Sequence, residues 1–75
     1  MTAVLYPTHE AKHWYMDMMR VHGGLVMSKI QAKAQALAVE DGNTYIVSLA
    51  YYKRAWHEML PEVSNLPGFD AREVW

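Results

Sequence analysis

The chain has 75 residues, a net charge of −1 and no cysteine, which limits it to one small domain with neither disulfides nor thiolate zinc sites. Its hydrophobic fraction of 52%, with six Met, five Tyr and three Trp, is more bulky apolar surface than one core of this size conceals, and it favours self-association. Only Lys53 and Arg54 are adjacent among the seven basic residues, so the basic stripe of a nucleic-acid binder is missing.

The N-terminus lacks a basic segment followed by an apolar run, and the longest strongly apolar stretch, Tyr45 to Tyr52, is far short of the ~20 residues that span a bilayer. No signal peptide and no membrane association are expected, and the expected location is cytoplasmic. The first element is a helix opening after Pro7. Thr8 is suited to accept a backbone N–H there, and Glu10 places an acid in the first turn, where the helix dipole favours it.

That first turn also spells His9-Glu10-x-x-His13, the H-E-x-x-H pattern of zinc peptidases. On a helix, positions i and i+4 share a face, so both imidazoles reach one zinc while the glutamate activates its water. The context argues against that chemistry. Only eight residues precede His9, too few for the sheet on which such peptidases hold substrate, and the position six after His13 is Met19 rather than a third histidine. A third ligand would have to come from Asp70 or Glu73 in the tail. The simpler reading is a solvated first helical turn, so no cofactor and no metal is expected, with His9, Glu10 and His13 as the alternative site.

Helical sequence continues to Glu40, interrupted only by Gly23-Gly24, and "SKIQAKAQALAVE" is dominated by strong helix formers. Two apolar stripes run along it. One follows Met16, Met19, Gly23, Val26 or Met27, Ile30, Ala34 and Leu37, and the other Trp14, Met18, Val21 and Leu25. A helix apolar on two sides is covered on two sides. Either it breaks at Gly23-Gly24 and the tail folds back, or a second copy packs on it, and the two are compatible. Trp14, Met18, Val21 and Leu25 are therefore the candidate dimer interface.

Asp41-Gly42-Asn43 is the clearest turn. The next segment, "TYIVSLAYY", is rich in β-formers, but Tyr45, Leu49, Tyr52, Trp56 and Met59 recur at helical spacing. The preferred reading is a helix over 43–60, capped by Asn43 or Thr44 and stopped by Pro61, and the less favoured one a β-hairpin. Within such a helical hairpin His22 lies opposite Glu62, near His57 and Glu58, a grouping most simply read as a surface histidine beside a carboxylate. The tail, 61–75, turns at Pro67-Gly68, and Asp70 is placed to cap a last helical turn carrying Val74 and Trp75.

The expected architecture is all-α: an antiparallel helical hairpin (helix 8–40, turn 41–43, helix 43–60) with an ordered tail, in a dimeric bundle. No nucleophile elbow or phosphate loop is present, since Gly23-Gly24 lacks the P-loop lysine and spacing. The expected function is therefore non-enzymatic: an adaptor, inhibitor or regulator contacting a larger protein through Tyr51, Tyr52, Arg54, Phe69 and Trp75. The alternatives are a zinc-dependent hydrolytic or metal-binding protein, and a DNA-binding regulator in which the Gly-Gly segment is the turn of a helix-turn-helix.

Overall fold

The computed structural model describes residues 6–43 and 45–73. The chain is mostly helical. Strand β1 (Tyr6–Pro7) leads into helix α1 (His9–His22), then come α2 (Gly24–Glu40), strand β2 (Ile46–Val47), α3 (Leu49–Val63) and a closing 3-10 turn, Ala71–Glu73. No described helix is long and apolar enough to cross a membrane.

Helix α1 starts as its sequence dictates: Thr8 Oγ1 accepts the Ala11 N–H at 3.2 Å, satisfying one orphan donor of the first turn. The long helix breaks at Gly23, whose φ of 85° and ψ of 173° lie in a region open essentially to glycine alone. One residue turns the chain, and the Gly23 N–H still closes onto Met19 O at 2.9 Å. Helix α2 ends on Gly42, at φ +83°. Its N–H bonds Val39 O while the Asn43 N–H reaches back to Ala38 O, each at 2.9 Å, which is the paired closure of a Schellman end.

The next helix starts at Leu49 rather than Asn43. Asn43 does cap, but it caps a turn: its Oδ1 accepts the N–H groups of Tyr45 and Ile46 at 3.4 and 3.2 Å. The chain then runs extended through β-branched Ile46-Val47, which pair in parallel with Tyr6-Pro7. Tyr6 N–H bonds Tyr45 O at 2.9 Å and Thr8 N–H bonds Val47 O at 3.1 Å. Ile46 and Val47 thus enter neither a helix nor a β-hairpin, whereas Tyr51 and Tyr52 do lie in the helix. The two strand residues pair with residues forty positions upstream, and both strands hand over directly to a helix. At its other end α3 runs through Pro61 to Val63, so the proline does not stop the helix, which ends two residues beyond it.

The core lies between α2 and α3, with α1 laid across both. Val26, Met27, Ile30, Ala34, Leu37 and Ala38 from α2 meet Tyr52, Ala55, Trp56 and Val63 from α3, and Ala11, Met18 and His22 complete it from α1. Tyr51 Oη donates to Asp41 Oδ2 at 2.8 Å at one end of the α2–α3 contact, and Lys33 meets Glu58 at 3.5 Å further along.

The tail folds back over α1. Leu66 and Phe69 pack on the core, and Gly68, at φ +93°, passes so near that a Cβ there would lie 2.7 Å from His22 O. His22 therefore does not face Glu62. It is 1% exposed, its ring centroid lies 4.9 Å from Trp56 and 5.1 Å from Phe69, and its Nδ1 accepts the Asp70 N–H at 3.0 Å.

Candidate functional site

Trp14 and Tyr15, adjacent residues nearly two turns into α1, stand edge-on over the aromatic face of α3. Trp14 is 6.3 Å from both Tyr52 and Trp56, and Tyr15 is 5.8 Å from Tyr52, separations at which T-shaped aromatic pairs attract. This lattice explains much of the apolar excess. The aromatics of α1 and α3 cover one another, and Phe69 closes the end beside Trp56.

Several residues expected on outer surfaces consequently lie elsewhere. Tyr52 is 1% exposed and faces inward beneath Trp14 and Tyr15, because three- and four-residue spacing sets it on the same face of α3 as Leu49 and Trp56. Burial raises its hydroxyl pKa above the ordinary tyrosine value, partly opposed by a hydrogen bond with Gln31. Phe69 is half-buried against His22 and Trp56. Tyr51 is half-buried, with its hydroxyl on Asp41, a bond that raises its pKa. Arg54 is exposed and pairs with Glu58 at 3.0 Å. Trp75 lies outside the described residues. Of the candidate dimer residues, Met18 is buried and Trp14 half-buried within this chain's own core, while Val21 and Leu25 remain exposed at 37% and 61%.

The histidine pair lies along one edge of a shallow cavity of about 460 Å³, lined by His9, Glu10, His13, Trp14, Asp17 and Leu49. Its walls are the outer side of α1 and the head of α3. Trp14 and Leu49 give it an apolar floor, and two imidazoles and two carboxylates form its rim. His13 Nε2 lies 3.7 Å from Asp17 Oδ2, with both side chains well exposed, so the imidazole turns along α1 toward a carboxylate one turn on. Among the described residues no three His, Asp or Glu side chains gather as a metal ion requires. Asp70, one of the third ligands considered, sits at His22 instead and is held by Arg72. That guanidinium keeps its carboxyl below the usual range.

The cavity continues toward the strand ends, where Thr8, His9 and Glu10 face Ser48, Leu49 and Ala50. Immediately before these residues the two strands carry exposed bulk: Tyr6 at 66%, Tyr45 at 76% and Ile46 at 50%. Tyr6 and Ile46 are register partners, so their side chains project from the same face of the pair. The hydrogen-bonding edge beside them is blunted, because Pro7 has no N–H and the Ile46 N–H is taken by Asn43. The patch therefore offers side chains rather than an open strand edge.

Sequence reasoning did not single out Tyr6, Tyr45 or Ile46 as surface residues. Tyr45 and Ile46 fit a helical stripe, and the parallel pairing that exposes them leaves no periodic trace. The one available signal was the β-former density of "TYIV". The Gly-Gly segment is not the turn of a helix-turn-helix either: Gly23 alone separates α1 from α2, against the three or four residues such a turn uses. Comparison of the chain with protein-family models, with curated proteins and with solved structures found no match.

Proposed function

We propose that the protein is a non-enzymatic interaction module, an adaptor, inhibitor or regulator of a larger protein. On this reading it binds through the strand patch and the adjoining cavity. The observation that supports it is the set of three large exposed apolar side chains on paired or adjacent backbone positions, Tyr6, Tyr45 and Ile46, near an apolar-floored cavity with a titratable rim. Interfaces are built this way, from aromatic and aliphatic anchors near the centre and polar groups around them. The occupant that fits is an apolar or aromatic side chain of the partner, seated on Trp14 and Leu49, with polar groups of its own against His9, Glu10, His13 and Asp17. The α2–α3 hairpin and its aromatic lattice act as the rigid support.

The test is capture from the cell that encodes the chain, using a tagged protein, a Tyr45→Ala/Ile46→Asp double variant and a Lys12→Ala control, each shown folded by circular dichroism. A specific partner recovered by the unsubstituted chain and the control, and lost about tenfold or more by the double variant, is the expected outcome. Equal recovery by all three proteins, or no specific partner, would overturn the proposal.

A further inference from the structure

The outer face of α2 carries a pattern that the core does not use. Leu25, Ser28, Ala32, Ala36 and Val39 are all exposed, Leu25 at 61% and Val39 at 51%, and steps of three and four residues hold them on one side of the helix, with exposed Lys29 at the margin of that side. The pattern reads the same in both directions about Ala32. Ser28 and Ala36 lie four residues away, and Leu25 and Val39 seven, so a large apolar side chain stands at each end of a small-residue centre.

The ends of α2 are also charged against its own dipole. Its first turn has no acidic residue and no side-chain cap, and its last turn has no basic one. The chain instead places Glu40 and Asp41 at the C-terminal end. A helix dipole favours the reverse arrangement, acids at the start and bases at the finish. Neither end finds its complement within α2.

We propose that this face binds a second copy of the chain, α2 against α2 and antiparallel, with the two-fold axis passing beside Ala32. That one arrangement meets both observations. It sets Leu25 over the partner's Val39 and the reverse, and it brings Glu40 of each copy alongside the uncapped N-terminus of the other α2. Ala32 and Ala36 let the axes approach toward the short end of the ~8–10 Å range of packed helices. The symmetry is that of an isologous dimer, in which each contact occurs twice. A contact made by one helix falls below the ~1,200 Å² of total area typical of the smaller specific interfaces, so the dimer is concentration-dependent rather than permanent. It goes beyond the partner-binding reading, uses a different face, and stands or falls separately from it.

The chain has no cysteine, so a single introduced one reports on the axis. Ala32→Cys places two thiols against each other across the two-fold, whereas Glu62→Cys, at an exposed position of α3, serves as the collision control. Under mild oxidation the expected result is a disulfide-linked dimer forming about tenfold or more faster for Ala32→Cys than for the control. Sedimentation of the unsubstituted chain from low micromolar to near-millimolar concentration is expected to show a monomer–dimer equilibrium. Leu25→Asp weakens it by about tenfold or more, because a charge is then taken into an apolar contact. Equal cross-linking rates would overturn the proposal, as would a monomer across the whole range or a dimer insensitive to Leu25→Asp. Circular dichroism of Leu25→Asp should match the unsubstituted chain, since Leu25 touches no core.

Discussion

At Gly68 both the backbone and the surroundings require the absence of a side chain. Its φ is +93°, and a Cβ would lie 2.7 Å from the carbonyl oxygen of His22, a backbone atom that cannot swing aside. Gly68→Ala should therefore lower stability by about 1–3 kcal/mol or free the tail from α1, read as a lower Tm in thermal circular dichroism; an unchanged Tm would show that the tail contributes little. His22 beneath it is the buried polar or charged residue among the described residues. Its Nδ1 is bonded to Asp70 while its Nε2 has no hydrogen-bond partner among the described residues, a group whose desolvation costs about 1–3 kcal/mol. Tyr52 supplies a titration test. Burial raises its pKa, so the unfolded chain loses the hydroxyl proton first as pH rises. The contribution is complete below the ordinary tyrosine value of 10.0 and is lost as pH climbs from there through the folded pKa. Denaturation of Tyr52→Phe should be less sensitive to pH above that point than the unsubstituted chain; identical profiles would contradict the assignment.

Element by element, α1 and α2 were legible in the sequence because their determinants are local. Thr8 and Glu10 mark the start, Gly42 the end, and the glycine pair between them supplies the break, where Gly23 takes a φ and ψ open to glycine alone. Thr8→Ala removes the cap on Ala11 and should cost about 1 kcal/mol, measured by urea denaturation; no change would mean that the α1 start is held by β1 alone. What was not legible depended on contacts between distant residues. Ile46 and Val47 read as the start of a helix because Tyr45, Leu49, Tyr52 and Trp56 share its spacing. The pairing with Tyr6-Pro7 and the Asn43 turn override that spacing, and neither has a period to detect. The inward turn of Tyr52 was legible, by contrast, since its spacing from Leu49 and Trp56 places it on their face wherever the helix starts. The cover of Trp14 and Met18 was foreseen only as one of two alternatives, because the fold-back of the tail rests on one close approach at Gly68.

For the whole molecule, the apolar excess that suggests self-association falls mainly into three parts, with Met16 and Val21 exposed on α1 besides. The largest is internal, the lattice of Trp14, Tyr15, Tyr52, Trp56, His22 and Phe69. The second is the outer face of α2, and the third is the strand patch at Tyr6, Tyr45 and Ile46. On the proposed reading the binding surface moves from Tyr51, Tyr52, Arg54, Phe69 and Trp75 to the residues that precede α1 and α3. The most direct measurement is a paired comparison of Tyr52→Ala with Ile46→Asp, recording Tm and partner recovery for each. Tyr52→Ala should lose about 3–5 kcal/mol of stability, the range for deleting a large buried aromatic, and Ile46→Asp should keep its Tm while losing the partner. Retention of the partner by folded Ile46→Asp, or an unchanged Tm in Tyr52→Ala, would contradict this division.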